Sequence, residues 1–266
     1  YNLNDKNSLR LGASKTYTLP QAKEISPYRY VGVNFNSQGN PNLKPSDHYN
    51  LDLKWDFNPT PTELISLTAF YKLIKNPISR IEVASAGGYL SYENIADKAT
   101  VAGVEVEIRK NLFVRPVSNA AHGMNKLSLG LNGSYIYTNA KMPLATVTTG
   151  SQLEGAAPWI VNFDLSHNFT KGERSFVNTL VLNYVSDKIY TIGTQGYQDI
   201  MEQGVLTLDF VSQAKLNKHL SFNLKARNLL NSSYKLSRKA NENGEKVILN
   251  DYKKGINISL GVSCTF

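Results

Sequence analysis

The chain of 266 residues is long enough for one large all-β unit or for two ordinary domains. Its formal net charge of +8 comes from basic residues scattered along the sequence, and because they form no run, nucleic-acid binding is not favoured. Cys264 is the single cysteine, which excludes a disulfide framework and a cysteine metal cluster within the chain. No stretch approaches the roughly 18 consecutive apolar residues of a membrane helix, so a helical membrane protein is excluded as well.

Alternation of apolar and polar residues predicts ten antiparallel strands. The clearest are the second, where every other residue from Tyr49 to Phe57 is apolar, and the last, where the same holds from Ile256 to Phe266. Successive strand side chains point to opposite faces, so each strand has one apolar and one polar face. In chain order the predicted strands are Ser8 to Thr18, His48 to Phe57, Leu64 to Leu73, Thr100 to Lys110, Lys126 to Thr138, Pro158 to Phe169, Phe176 to Ser186, Val205 to Leu216, Leu220 to Leu229 and Gly255 to Phe266.

The connections between these strands differ in length in a regular way. They are short after strands two, six and eight, and long after strands one, three, five, seven and nine. The connection after the fourth strand, Asn111 to Asn125, is intermediate. Short turns on one side and long loops on the other are typical of outer-membrane barrels, whereas a β-sandwich has no reason to segregate them. The pattern therefore predicts a transmembrane β-barrel whose apolar face meets lipid and whose polar face lines the lumen.

Aromatic residues provide a second feature of the same kind. If the last strand ends in the periplasm, aromatic side chains in phase with the apolar face lie at both ends of the strands, as the two interfacial girdles of a barrel require. The simpler alternative is that aromatic residues favour strands in general. The predicted outer girdle contains Tyr17, Tyr49, Tyr71, Tyr135, Tyr137, Trp159 and Tyr184, and the inner girdle contains Phe57, Phe169, Phe176, Phe222 and Phe266.

Few residues indicate catalysis. Of the histidines His48, His122, His167 and His219, only His48 is predicted at the outer rim, where Asp47 and His48 would suit an acid–base pair. A polar dipeptide at a strand start is the simpler interpretation. No nucleophile elbow, phosphate loop, metal-binding helix or paired-cysteine motif occurs, so we predict no catalytic residue, cofactor or metal.

Charged residues on the polar faces are interpreted as a lumenal network, since a dry core would not accommodate them. They are Asp52, Lys54, Asp56, Glu105, Glu107 and Arg109. Ligand contacts are expected from the long outer loops, because loops carry recognition in rigid scaffolds. The candidates are Tyr89, Tyr92, Tyr190 and Tyr197, for which contact with lipopolysaccharide or packing within the loops is an equally open role.

Four segments carry a resemblance to a known family. They are Gly39-Asn-Pro-Asn-Leu-Lys-Pro45 before an alternating strand, Ala102-Gly-Val-Glu-Val-Glu107, Asn228-Leu-Leu-Asn-Ser-Ser-Tyr234, and the final Ser259, Gly261, Cys264 and Phe266. Together they resemble the carboxy-terminal barrel of TonB-dependent outer-membrane receptors, especially those of Bacteroidota. Ser46 departs from the family pattern, in which an acidic residue usually follows the proline. Cys264 stands where an aromatic or larger apolar residue is commoner.

The resemblance implies an integral outer-membrane protein that takes up a scarce nutrient, such as a siderophore, vitamin, glycan or peptide. Family receptors have about twenty-two strands, an amino-terminal plug and a segment that engages TonB. Residues 1–266 are therefore expected to be a single carboxy-terminal barrel segment without the plug, and no signal peptide is found. The implied partners are outer-membrane lipid and lipopolysaccharide, the barrel-assembly machinery and TonB, with a surface lipoprotein as a further candidate.

Two other classes remain open at this point. A self-contained ten-stranded outer-membrane enzyme, of the surface protease or lipase type, predicts acids and histidine clustered at the outer rim. A soluble β-sandwich binding domain predicts that the chain partitions into the aqueous phase.

Overall fold

A computed structural model describes residues 1–85, 88–117, 123–142, 151–240 and 245–266. One short helix, α1 (Ala22–Ile25), is present in these ranges, and no helix among them has the length and apolar character needed to cross a membrane. The strands are β1 (Asn2–Asn4), β2 (Asn7–Thr18), β3 (Arg29–Tyr30), β4 (Ser37–Gln38), β5 (Ser46–Phe57), β6 (Leu64–Lys75), β7 (Ile78–Val83), β8 (Tyr89–Asn94), β9 (Lys98–Pro116), β10 (Met124–Ala140), β11 (Trp159–Lys171), β12 (Arg174–Val185), β13 (Lys188–Thr191), β14 (Ile200–Glu202), β15 (Val205–Lys215), β16 (Leu220–Arg227), β17 (Ser233–Lys239), β18 (Lys246–Lys253) and β19 (Asn257–Cys264).

The main sheet has eleven strands in the order β1-β2-β5-β6-β9-β10-β11-β12-β15-β16-β19. Each strand pairs antiparallel with the next long strand along the chain, so the sheet is an up-and-down meander. All ten predicted strands are present, and β1 adds a short stub beside β2. The alternation that predicted them thus corresponds to a sheet with two different faces.

One face of this sheet exposes large apolar side chains. Leu11 is 74% exposed and Leu260 is 71% exposed, and both stand on the predicted lipid-facing phase of their strands. A water-soluble sheet would bury such a face, because each side chain of this size gains about 1.5–3 kcal/mol on leaving water. Exposure of large apolar side chains along this face is therefore the arrangement expected of a lipid-facing wall.

The outer end of the wall carries two smaller sheets. The first, β13-β14-β17-β18, repeats the order of β12, β15, β16 and β19, from which its strands continue. The second has the order β3-β4-β8-β7. The buried apolar cluster of the described residues lies in this outer layer and includes Ile81, Ile95, Ala99, Ala140, Leu153, Ile189 and Ile192. The segments predicted as long loops therefore contain strands and hold the apolar core.

One predicted boundary is wrong. The connection predicted from Asn111 to Asn125 is mostly strand, because β9 continues to Pro116 and β10 begins at Met124. A β-bulge explains the error: Ser128 pairs with Asn111 and Leu127 pairs with Phe113, which leaves Leu112 as an extra residue. A bulge shifts the alternation by one residue and hides the continuation of the strand. The connection is accordingly one of the short ones.

The outer aromatic residues lie on a diagonal of the pairing register. The residues paired across the sheet with Tyr17 form one row near the outer end of the strands. Tyr49, Tyr71 and Trp159 lie in rows that are successively further from this outer end. The row of paired residues through Tyr184 meets β2 at Leu9, eight residues from Tyr17. This is about 27 Å along the strands, against about 29 Å across the six strand steps from β2 to β12, taking about 3.4 Å per residue and 4.8 Å per strand. If the aromatics mark one membrane plane, the strands tilt by about 43°, within the range of about 35–45° found for membrane barrels.

Candidate functional site

Distant loops meet at an ion pair between Arg80 on β7 and Glu154. The Arg80 Nη2 and Nε atoms donate to Glu154 Oε1 over 2.7 and 3.2 Å, and the Arg80 backbone N–H donates to Glu154 Oε2 over 2.6 Å. Such charge-assisted bonds are shorter and stronger than neutral ones. Both side chains are largely buried, at 26% and 18% exposed. The ion pair therefore fixes the loop after β10 against the hairpin β7–β8.

Aromatic rings surround the same guanidinium. The Arg80 guanidinium carbon lies 4.1 Å from the centroid of the Tyr190 ring, which in turn lies 6.2 Å from the Phe35 ring. Together they line a cavity of about 210 Å³, which we call the loop pocket. Its lining residues are Lys23, Gly32, Val33, Asn34, Phe35, Ser37, Arg80, Leu90, Tyr92 and Tyr190. Two cations and three aromatic rings from four chain segments thus face one small space.

Burial and charge control the titration of two groups in the loop pocket. Burial acts to lower the pKa of Arg80, but the charge and hydrogen bonds of Glu154 outweigh it, so the pKa of Arg80 is raised. Burial also raises the pKa of the Tyr92 hydroxyl above its ordinary value, and the nearby Arg80 opposes that rise. Near neutral pH the site therefore presents a fixed positive guanidinium and a neutral phenol.

A second group of contacts centres on Glu82. Its carboxylate accepts a hydrogen bond from Arg238 on β17, and its backbone carbonyl accepts one from the Thr194 hydroxyl. Next to it, Ile81 forms a parallel bridge with Ile192, which is 1% exposed. We call this set of contacts, together with the Arg80–Glu154 ion pair, the loop knot. It joins four outer loops, those after β6, β10, β12 and β16.

The four predicted ligand tyrosines lie in different places. Tyr92 and Tyr190 both line the loop pocket. Tyr89 is on β8 with the Arg29 guanidinium 5.8 Å from its ring centroid, and Tyr197 lies 5.3 Å from the Arg238 guanidinium. The sequence-based prediction did not include Arg80, Glu154 or Lys23, because no local pattern marks them.

The acid–base pair considered at the outer rim is not formed. Asp47 lies 3.4 Å from the Lys15 ammonium, while His48 Nε2 lies 3.0 Å from the Thr18 hydroxyl on the other face of the sheet. Neighbouring strand residues point in opposite directions, so Asp47 and His48 cannot share a proton. His122 lies outside the described residues. Among the residues that are described, no group of three or more His, Cys, Asp or Glu side chains could hold a metal ion.

The lumenal face carries the predicted network in part. Asp56 lies 3.4 Å from both Arg10 and Lys54, and Glu107 lies 2.7 Å from Arg109. Further along, Asn162 donates to Asn132 over 3.3 Å and accepts from Asn183, so an amide ladder crosses three strands. Within the described part of the chain, Asp52 and Glu105 form no ion pair, and both line a lumenal cavity of about 580 Å³. The lumenal face is therefore polar along much of its width.

The residues compared with an assembly signal lie on β19 or just after it. Every residue of β19 is exposed, and its outer edge has no partner strand within the described sheet. Gly261 pairs with Asn223, and a Cβ placed on Gly261 would meet only the Asn223 Cβ, at 3.8 Å. Cys264 pairs with Leu220 on the lipid-facing side, and Phe266 is fully exposed.

Comparison with known proteins identifies the barrel. A family model described as "TonB dependent receptor-like, beta-barrel" matches residues 1–229. The chain belongs to this family. Membership confirms the predicted barrel fold and the integral outer-membrane location, and it identifies a family of receptors and not of enzymes. The stand-alone barrel enzyme and the soluble sandwich are thereby replaced by a receptor barrel.

Individual relatives agree with the family. The "Iron-regulated outer membrane virulence protein" of Vibrio cholerae serotype O1 is 25% identical over 219 residues, which are 79% of this chain and 31% of that protein. The structure of the ferric enterobactin receptor of Pseudomonas aeruginosa matches 100% of this chain and 39% of its own, with a TM-score of 0.61 and 17% identity. The "Copper transporter OprC" matches 100% of this chain and 38% of its own, with a TM-score of 0.65 and 15% identity. The chain thus spans about a third of the curated relative and less than two fifths of either protein of known structure.

Proposed function

We propose that this chain forms the carboxy-terminal part of a TonB-dependent receptor barrel that imports a scarce nutrient. In this proposal the complete barrel has about twenty-two strands. The strands that this chain does not supply, and the plug, come from other parts of the receptor. The open edges of the main sheet support it, because β19 has no outer partner among the described strands and β1 covers β2 only near Asn7 and Ser8. Lipid does not tolerate such unpaired backbone groups, so the sheet needs further strands to close it. The protein catalyses no reaction, and the work of import comes from TonB acting through the plug.

Within the nutrient classes that the family suggests, we propose a ferric siderophore over a vitamin, glycan or peptide. The observation that carries this choice is the loop pocket, in which Arg80 and Lys23 lie beside the rings of Phe35, Tyr92 and Tyr190. Metal chelates with carboxylate or phenolate groups suit cations, and aromatic rings suit their planar parts. Receptors named for ferric enterobactin and ferric yersiniabactin are among the similar structures. Tyr89 and Tyr197 would contact the same ligand from the pocket rim.

A binding experiment on the full-length receptor tests this proposal. The probes are a panel of ferric siderophores, with a cobalamin, an oligosaccharide and a peptide as comparison ligands, and binding is followed by quenching of receptor fluorescence. Arg80→Gln is expected to weaken binding of the ferric siderophore about ten- to hundredfold. This corresponds to the loss of one hydrogen bond to a charged group, which contributes about 1.5–3 kcal/mol. Lys235→Gln is the control. The Lys235 ammonium lies 3.5 Å from the Asp251 carboxylate, and neither residue lines the loop pocket. Binding of a comparison ligand alone, or equal binding by Arg80→Gln, would contradict the siderophore assignment.

The partners follow the same proposal. Ser259, Gly261, Cys264 and Phe266 would be read by the barrel-assembly machinery, and lipopolysaccharide would surround the outer half of the wall. TonB would act through the plug, and a surface lipoprotein would be a further partner above the loops. The segments that resemble the family, taken together, favour an origin in Bacteroidota.

A further inference from the structure

Basic residues gather on one part of the lipid-facing outer rim. One row of paired residues runs from Tyr17 through Asp47 and Lys75 to Lys98. Lys15 lies two rows further in, directly opposite Tyr49. All of these positions share the phase of the exposed apolar residues of their strands. The wall at β11, β12 and β15 shows uncharged residues near its outer end on this face, namely Trp159, Tyr184 and Leu206.

The charges in this row are not balanced. Asp47 lies 3.4 Å from Lys15, whereas neither Lys75 nor Lys98 has a carboxylate within 4.0 Å among the described residues. Lys75 and Lys98 are nevertheless direct cross-strand partners, an arrangement of like charges that destabilises a sheet. Lys141 adds another cation near this pair. It directly follows Ala140, which pairs with Ala99 in the row next to that of Lys75 and Lys98. An anion between these ammonium groups would remove the repulsion.

An aromatic ring defines the inner side of the group. The ammonium groups of Lys15 and Lys75 lie 5.5 and 5.3 Å from the centroid of the Tyr49 ring, which stands between them. Long basic side chains beside interfacial tyrosines extend towards the headgroup layer of a membrane. Lys15, Tyr49 and Lys75 therefore form one side of a small platform on the outside of the wall.

The height of the platform follows from the tilt of the strands. Lys75 and Lys98 each lie four residues beyond the row that contains Tyr71 and Ala102. Four residues span about 13 Å along a strand, which a tilt of about 43° reduces to about 10 Å above the aromatic girdle. This is where the phosphorylated headgroups of outer-leaflet lipid lie, just above the apolar layer.

We propose that Lys15, Lys75 and Lys98 bind a phosphate group of the phosphorylated glycolipid of the outer leaflet, lipopolysaccharide. A phosphate monoester carries about −1.5 to −2 charges at neutral pH and three acceptor oxygens, so it can accept from several ammonium groups at once. Lys75 and Lys98 are on adjacent strands, which lie about 4.8 Å apart, and the Lys15 and Lys75 ammonium groups approach the same Tyr49 ring, so the three side chains can reach one phosphate. This site is on the lipid side of the wall and does not depend on which nutrient the receptor imports.

The test compares two pairs of opposed lysines in the full-length receptor. Lys75→Gln with Lys98→Gln removes the rim pair, and Lys239→Gln with Lys246→Gln removes a directly opposed pair in the outer loop sheet as the control. Receptors are placed in nanodiscs of neutral lipid, and retention of added lipopolysaccharide is measured by native mass spectrometry. We expect at least fivefold less lipopolysaccharide on the rim variant and no change on the control. Equal retention by the two variants would overturn the proposal.

Three further measurements separate the sources of the effect. Dephosphorylated lipopolysaccharide should bind the unmodified receptor as weakly as intact lipid binds the rim variant, and equal binding of both lipids would refute a phosphate site. Inorganic phosphate at millimolar concentration should compete only weakly, because it lacks the acyl chains; complete displacement would assign the site to free phosphate. Lys75→Arg with Lys98→Arg keeps both charges and should restore retention, so failure of this variant, with a normal folded band on unheated gels, would also count against the proposal.

Discussion

Close packing at one lumenal glycine gives the sharpest prediction about the wall. A Cβ on Gly103 would lie 2.4 Å from Phe70 Cζ and 2.4 Å from the backbone oxygen of Tyr135. The ring could move, but the carbonyl belongs to a paired strand and cannot. Overpacking of this kind costs about 1–3 kcal/mol, and the entropic gain from replacing a strand glycine offsets about 0.5–1 kcal/mol of it. We therefore expect Gly103→Ala to lower the free energy of unfolding by about 1 kcal/mol at the middle of these ranges, and by about 2.5 kcal/mol at most.

The measurement is urea unfolding of the full-length receptor in lipid vesicles, with the fraction folded read from its faster migration on unheated gels. Gly133→Ala is the matched control, because nothing lies within 4 Å of a Cβ at that position in the same sheet. It should be neutral or slightly stabilising. Phe70→Ala combined with Gly103→Ala should recover only part of the loss, since the clash with the Tyr135 carbonyl remains. Equal stability of Gly103→Ala and Gly133→Ala would show that the packing described here does not constrain the wall.

Three other predictions concern a turn, the lumen and the last strand. The pKa of Glu63 is lowered by the backbone hydrogen bond from Asn111 and then by Lys110, so the contribution of Glu63 to stability is present above its unfolded pKa, near 4.5, and is lost as the pH falls through the lower folded pKa. The stability difference between the receptor and its Glu63→Gln variant should therefore shrink between pH 6 and pH 3. A constant difference in urea midpoints would contradict this. Asn162→Leu breaks the amide ladder and should cost about 1 kcal/mol in the same unfolding assay, whereas an unchanged midpoint would mean that water replaces the lost bonds. Cys264→Tyr should raise the fraction of receptor that reaches the folded state in the outer membrane, and Gly261→Ala should lower it. Because a Cβ on Gly261 meets nothing closer than 3.8 Å, a loss for Gly261→Ala would report recognition by the assembly machinery and not a steric clash. Unchanged yields for both variants would show that these residues are not part of the assembly signal.

The strands of the wall were predictable because their signal is local. In β5, for example, the alternation from Tyr49 to Phe57 requires no knowledge of any other strand. The continuation of β9 beyond the bulge at Leu112 was not predicted, because one extra residue reverses the alternation of apolar and polar positions. Strands of the outer layer were missed for a different reason. They are short, and contacts such as Ile81 with Ile192 join positions too far apart for a periodic pattern to show.

The candidate site was predictable by residue type and not by position. Exposed tyrosines in loops pointed to Tyr92 and Tyr190, which do meet in the loop pocket. Nothing in the sequence around Arg80 or Glu154 indicates that they form an ion pair across 74 residues. Only the folded outer layer brings them together, because the hairpin β7–β8 leans on the loop after β10. Charged loop residues are common, so their presence alone carried no information.

The diagonal of the aromatic girdle explains where the loop knot stands. On β2 and β12 the strand ends one residue beyond the girdle, at Thr18 after Tyr17 and at Val185 after Tyr184. The middle strands β6, β9 and β10 instead continue three or four residues beyond it. Ala99 and Ala140 pair at the top of this taller section, and each is 1% exposed and belongs to the buried apolar cluster that the loops share. Small side chains there let the loop layer rest directly on the wall. The outer loops are therefore anchored where the described strands extend furthest beyond the aromatic girdle.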